Sequence, residues 1–190
     1  MMPTLPGHRA PAVGLESPFE MLVACHERVQ RTLDLMVRLQ LHLIDQGQDA
    51  DARQAARDVM RYFDLAAPLH HQDEELHVFP PLLSGPDTTV HALVRKLMRD
   101  HQQMESAWAL ARCVLLVIAD GPAAQWVPLS SEQTTALGCF AALYGQHIQD
   151  EEGIVYPAAQ TTLSDTALRA MSADMMQRRG VAANRLASGL

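Results

Sequence analysis

Aromatic side chains make up only 5 % of this 190-residue chain, so its core must be built mostly from aliphatic residues and methionine. Nothing in it reads as a train of β-strands. Positive charge is also in deficit. Fifteen Lys and Arg face 22 Asp and Glu, for a formal net charge of −7 and a pI of about 5.6. There is no basic stripe, which argues against nucleic acid as a partner. The three cysteines, Cys25, Cys113 and Cys139, are far apart, odd in number and form no CxxC. They read as reduced, mostly buried thiols of a cytoplasmic protein. A membrane-spanning run is missing too. The longest apolar stretch, 109–119, is interrupted by Arg112 and is too short to cross a bilayer. Residues 1–16 contain three prolines and no continuous apolar segment, so they are expected to form a flexible arm rather than a signal peptide.

Hydrophobic residues are 48 % of the chain, enough for a single domain with a substantial core. Ala, Leu, Gln, Met and Arg are plentiful and favour helix. Ser17-Pro18-Phe19-Glu20 reads as a helix start. A first helix is expected to reach about Gly47, with Leu22, His26, Val29, Leu33, Val37, Gln40 and Ile44 on one stripe. A second begins near Asp51 and carries Val59, Tyr62, Phe63 and Leu65. Pro68 should kink or restart it, and Pro80-Pro81 should end it. A third spans about 88–120, with Leu97, His101, Met104, Trp108 and Leu115 aligned. A fourth opens at the cap pattern Ser130-Ser131-Glu132-Gln133, carries Phe140, Leu143, His147, Glu151 and Ile154, and ends by Pro157. Ser164-Asp165 caps a short fifth helix reaching about Arg179-Gly180. The expected fold is all-α, an up-down-up-down four-helix bundle with a short C-terminal helix. Its parts are an arm (1–16), a bundle (17–160) and a terminal helix with tail (161–190).

The chemistry lies in a repeat. HHQDEELHVFP at 70–80 returns as HIQDEEGIVYP at 147–157, 77 residues later. Both copies keep a histidine, a glutamate four residues on, and a proline. Residues at i and i+4 project from one side of a helix, so each pair can grip one metal ion. Each copy also has a lone histidine upstream inside an apolar stripe: His26 lies 44 residues before His70, and His101 lies 46 before His147. Four imidazoles can supply two nitrogen ligands per ion. Glu74 and Glu151 can each bridge both ions, about 3.5–4 Å apart. Without metal, burying this set in hydrocarbon costs several kcal/mol or forces protonation. Mixed imidazole and carboxylate donors suit iron, manganese or zinc better than calcium or magnesium. Taken singly, a lone core histidine is more often just hydrogen-bonded, and one HxxxE is common on solvated helix faces. The doubled, matched set favours metal.

Other polar residues have weaker claims. His71 sits about 100° round the helix from His70, which places it outside the ligand set. Glu74 and His77 form one ExxH. A ferritin-like di-iron protein needs that motif twice, and Ile154 replaces the second histidine. His42 and His91 read as surface groups and His8 as a solvated residue of the arm. Tyr62, Tyr144 and Tyr156 can donate to the site from outside the ligand set, with core packing the default reading; the Met171–Met176 segment reads as a packing face.

These residues resemble the hemerythrin-like (HHE cation-binding) domain family. The likeness rests on His26, the 70–80 segment, DHQQME at 100–105 and the 147–157 segment, and covers about 17–160. It implies a four-helix bundle holding two non-haem iron ions, oxo- or hydroxo-bridged. It implies ligation by His26, His70, Glu74, His101, His147 and Glu151, with both glutamates bridging. The oxygen carriers of the family have a fifth ligand histidine one turn after the helix-three histidine, where this chain has Glu105. They also end in an aspartate bridge, where it has Glu151. The chain therefore resembles the broader bacterial group. The function implied is binding or sensing of a small diatomic ligand, oxygen or nitric oxide. The alternative is a di-iron redox enzyme: a peroxidase or oxidase, or one acting in nitric-oxide detoxification or iron–sulfur repair. Repair-type members carry a cysteine-containing N-terminal region, and residues 1–16 hold no cysteine.

Overall fold

The computed structural model describes residues 17–122 and 125–181. The expected arm with His8, and the end of the tail, lie outside the described residues. Among the described residues 87 % are helical and there is no strand. Helix α1 (Pro18–Asp45) is followed by α2 (Ala50–Asp73), a π-helical turn (Glu74–Val78) and α3 (Phe79–Leu83). After α4 (Thr88–Asp120) come α5 (Ser131–Ala142), α6 (Tyr144–Asp150), a second π-helical turn (Glu151–Val155) and α7 (Tyr156–Thr162). Helix α8 (Asp165–Arg178) closes the described chain. Helices α1 and α2, α2 and α4, and α4 and α5 pack as successive neighbours, and α8 lies against α1 and α2. This is the expected all-α bundle with a short terminal helix.

Capping explains most starts. Asp49, Asp87 and Ser164 accept backbone N–H groups of α2, α4 and α8. Ser130 and Gln133 form a reciprocal capping box on α5. Ser17 is the N-cap of α1, but its side chain accepts nothing; Pro18 in the first turn sets the start instead. Gly47, with φ of 73°, supplies the left-handed residue that turns α1 into α2. The buried Gln48 amide then donates to the carbonyls of Val117, Ile118 and Gly121, satisfying the end of α4.

The prolines do not stop the helices. Helix α2 runs through Pro68 without a restart. One missing hydrogen bond is outweighed by packing of α2 against both α1 and α4. Pro80-Pro81 and Pro157 do not end their helices either; they stand in the first turns of α3 and α7, where a missing N–H is tolerated. In both repeats the turn before the proline is the wide π type. The carbonyl of Glu74 accepts from the N–H of Phe79, and that of Glu151 from Tyr156. The structural repeat thus includes the distortion, and π turns occur often at functional sites.

The stripe of α1 also departs from expectation. Leu22, His26 and Val29 are buried, but the line continues through Met36, Leu39 and Leu43, while Val37 and Ile44 are exposed. At about 100° per residue, positions 33, 37, 40 and 44 stay on a straight stripe, whereas the buried Met36, Leu39 and Leu43 lie to one side of it, so the buried face winds around α1. Leu65 is exposed as well. Cys113 and Cys139 are exposed and Cys25 half-buried, against the expectation of mostly buried thiols; all three are free.

The apolar core falls into two clusters. One runs from Val29, Met36 and Leu39 through Phe63 and Leu115 to Phe140. The other gathers Leu22, Phe79, Leu97, Val155, Met171 and Met175. Between them in sequence, on every long helix, sits a buried polar residue: His26, His70 with Glu74, His101, and His147 with Glu151. Met171, Met175 and Met176 form the packing face expected of them.

Candidate metal centre

The six residues picked out by the repeat converge in the interior. His26, His70, Glu74 and Glu151 bring one donor atom each within 4.8 Å of one another, and so do Glu74, His101, His147 and Glu151. The glutamates belong to both groups. Glu74 and Glu151 are completely buried, and none of the four histidines exceeds 5 % exposure.

The imidazoles point their Nε2 atoms at the carboxylates. His26 Nε2 lies 3.1 Å from Glu151 Oε2, and His147 Nε2 lies 2.9 Å from Glu151 Oε1. His70 Nε2 is 3.5 Å from Glu74 Oε1, and His101 Nε2 is 3.4 Å from Glu74 Oε2. His26 and His70 bring their Nε2 atoms within 2.9 Å of each other, a spacing that suits two donors on one small cation.

A ring of carboxylates outside this layer fixes the imidazoles. His26 Nδ1 meets Glu152 at 2.8 Å, His101 Nδ1 meets Glu75 at 2.9 Å, and His147 Nδ1 meets Asp100 at 3.4 Å. Asp100 is in turn held by Lys96, which also bonds Asp150. Such outer carboxylates set the tautomer and leave Nε2 free to bind. The wiring crosses the repeat: each copy's second glutamate, Glu75 or Glu152, holds the other half's lone histidine. The aspartates that open the two DEE triplets also match. Asp73 pairs with Arg178 and Arg179, and Asp150 with Lys96.

Sequence reasoning missed Glu75, Glu152 and Asp100. The repeated DEE was a usable signal for the two glutamates, since both copies keep it. Tyr156 is more than a packing residue. Its hydroxyl donates to Glu74 Oε1 and lies 3.3 Å from His26 Nε2. Tyr62 donates to the Cys25 carbonyl, and Tyr144 packs on Phe63 and Phe140. His77 turns away from the layer and bonds Asp174 on α8 at 2.7 Å, which removes the ferritin-like reading of its ExxH. Ile154, the matching residue, is exposed; the extra residue of each π turn rotates this position outward and brings Val78 and Val155 in. His42 and His91 are half-buried rather than free surface groups. His42 pairs with Asp49, and His91 bonds the Gly85 carbonyl. Glu105 is exposed.

The charge balance fits a cation. Burial pulls His101 down, but the Glu151 and Glu74 carboxylates outweigh it and push it up to about 10. Burial also opposes ionisation of Glu151, yet the imidazoles of His101, His147 and His26 beside it hold it well below the usual carboxylate range. His26 is likewise raised, the pull of burial being exceeded by Glu151, Glu74 and Glu152. Burial pushes Tyr156 well up, and the charges of Glu74 and Glu151 add to it, so its hydroxyl keeps its proton. Protons on imidazoles thus balance the carboxylates where a metal would. Even so, His70 Nδ1, Glu74 Oε2, His101 Nε2, His147 Nε2 and both Glu151 oxygens are buried with no hydrogen-bond partner. An unsatisfied buried group costs about 1–3 kcal/mol, so cations among these nitrogens and oxygens fit the donor set.

A pH dependence follows. The folded His101 pKa, about 10, lies above the ordinary 6.5. Its contribution to metal-free stability is therefore fully present below pH 6.5 and is lost as pH rises through 10. Melting curves of the metal-free protein should show a falling midpoint over that window. A metal that needs neutral imidazole should in turn bind more tightly as pH rises. A metal-free midpoint that stays level across this window contradicts the assignment of the proton to His101.

A four-helix bundle with an interior layer of imidazoles bridged by two glutamates defines a cation-binding helical protein. Comparison with known families agrees: residues 17–159 match the hemerythrin HHE cation-binding domain. The chain belongs to this family. It is also 30 % identical over 170 residues to an uncharacterized protein of Haemophilus influenzae, covering 86 % of this chain and 91 % of that one. No helix among the described residues is long and apolar enough to cross a membrane.

Proposed function

We propose that the protein holds two iron ions in this layer and uses them to bind or sense a small diatomic ligand, oxygen or nitric oxide. His26, His70, Glu74, His101, His147 and Glu151 are the ligands, and the two glutamates bridge. One observation carries this reading: five inward, buried atoms, Glu74 Oε2, His101 Nε2, His147 Nε2 and both Glu151 oxygens, lack any hydrogen-bond partner. The balance of nitrogen and carboxylate donors suits iron. A bound iron pair supplies reversible redox change and a coordination position for the ligand. The chain's residues do the rest. Glu75, Glu152 and Asp100 orient the imidazoles, and the two apolar clusters shield the layer from water. Tyr156 keeps a proton on the side of the layer where His26 and Glu74 meet. Residues 17–160 form the binding unit, and α8 covers one side of it. The free thiols fit a cytoplasmic setting.

The alternative reading, a di-iron redox enzyme, draws on a different observation. An open groove of about 500 Å³ beside His71 and His101 is lined by Phe63, Met104, Trp108 and Tyr144. It exceeds what a diatomic molecule needs. Elemental analysis and the visible spectrum of aerobically purified protein test the centre, with two irons per chain and an oxo-bridge band expected. Rapid mixing of the reduced protein with oxygen or nitric oxide should then give a stable adduct. Steady turnover of peroxide with no adduct would favour the enzyme instead.

A further inference from the structure

We propose that His71 is a seventh metal ligand, completing a three-imidazole position with His101 and His147. The inference rests on the two-metal reading above. The ring nitrogens of His71, His101 and His147 approach within 4.8 Å of one another. The His71 ring lies parallel to that of His101, with centroids 4.0 Å apart and planes 9° apart, and its centroid is 6.2 Å from that of His147; it is adjacent to the centre, and a turn of its side chain brings its in-plane lone pair onto a cation held by His101.

His71 also differs from the other described histidines in its bonding. His26, His101 and His147 each spend Nδ1 on a carboxylate. His42, His77 and His91 bond Asp49, Asp174 and the Gly85 carbonyl, and His70 meets His26. His71 makes no hydrogen bond to a described residue, and its ring contacts are with His70, His101 and His147. His71 is half-buried and lines the groove beside His101, and its ring nitrogens, committed to no protein group, are available to a cation on that side. Sequence spacing hid this because His71 is 100° from His70. That rotation takes it off the His26 side of the layer and onto the side where α4 brings His101.

The two metal positions then differ. His26, His70, Glu74 and Glu151 form one group of four donors and Glu74, His101, His147 and Glu151 the other; His71, grouped with His101 and His147 but not with the glutamates, would add a fifth donor to the second. The less filled position is the one beside the Tyr156 hydroxyl. The more filled one lies behind the groove, whose wall includes His71 and His101.

The test compares wild type, His71→Ala and His71→Phe, each titrated with ferrous ion without oxygen. The phenylalanine keeps the stacked ring and removes the donor. Wild type should bind two ions. Both variants should bind one as before and the second at least about 10-fold more weakly. Free imidazole, entering through the groove, should restore the second ion in His71→Ala and not in His71→Phe. In cobalt-loaded wild type, the metals should shift the proton resonances of five imidazole rings, a count that needs no variant. Two tight ions in both variants, or only four shifted rings, overturn the proposal while leaving the two-metal reading intact. A wild-type chain that binds fewer than two ions sinks both.

Discussion

Glu151→Gln should empty the centre of both metal ions while the metal-free bundle keeps its helices. Glu151 is fully buried, and its two oxygens face His26, His101 and His147 at 2.9–3.7 Å. Glutamine keeps the shape, deletes the charge, and turns one acceptor into a donor aimed at imidazole nitrogen. Loss of an outer partner typically weakens metal binding by about 10–100-fold. With Glu151 bridging as proposed, its loss removes a ligand from both ions at once, so each affinity should fall by more than about 100-fold. Elemental analysis after loading and dialysis gives the count, and circular dichroism reports the fold. Glu132→Gln, an exposed change at the start of α5, serves as the control and should retain two ions. A Glu151→Gln chain that also retains two would remove Glu151 from the site.

The second large effect concerns the attachment of α8. Asp73 is completely buried at the end of α2. Its two oxygens meet Arg178 and Arg179, each at 2.5 Å. Breaking a buried ion pair by removing one partner costs about 3–5 kcal/mol, because a charge is left without its counterpart. The guanidinium side chains are 17 % and 21 % exposed, and Arg178 keeps Asp174, so Asp73→Ala should sit at the lower end, about 3 kcal/mol. In a chain of this size that is a drop of about 6–12 °C in melting temperature. Hydrogen exchange should localise the loss to α8 and the end of α2. A midpoint within about 2 °C of wild type would show that the arginines find other partners at no cost.

The centre was legible to different depths. The six converging residues could be read because each belongs to a local rule: an i, i+4 pair, or a histidine inside an apolar stripe. Doubling of the pattern turned weak signals into one. The orienting shell was less visible. Glu75 and Glu152 follow the bridging glutamates in both copies, yet their partners lie 26 and 126 residues away. Adjacent glutamates on a helix look like a solvated face until a second helix is placed against them. The π turns left no mark that periodicity could detect. They moved His77 and Ile154 out of the layer and kept both helices running past their prolines.

The sequence alone determined the helices, their order, the family, and the six inward residues, because caps, turns and 3.6-residue periodicity are properties of neighbouring residues. Tertiary structure decided the rest. It set which carboxylate holds which imidazole, placed Tyr156 at Glu74 and His71 against His101, and clamped Asp73 between two arginines. Those pairings depend on how each helix is rotated about its axis. One extra residue in a turn, or a step of four where 3.6 is needed, changes that rotation by tens of degrees, and only packing fixes it.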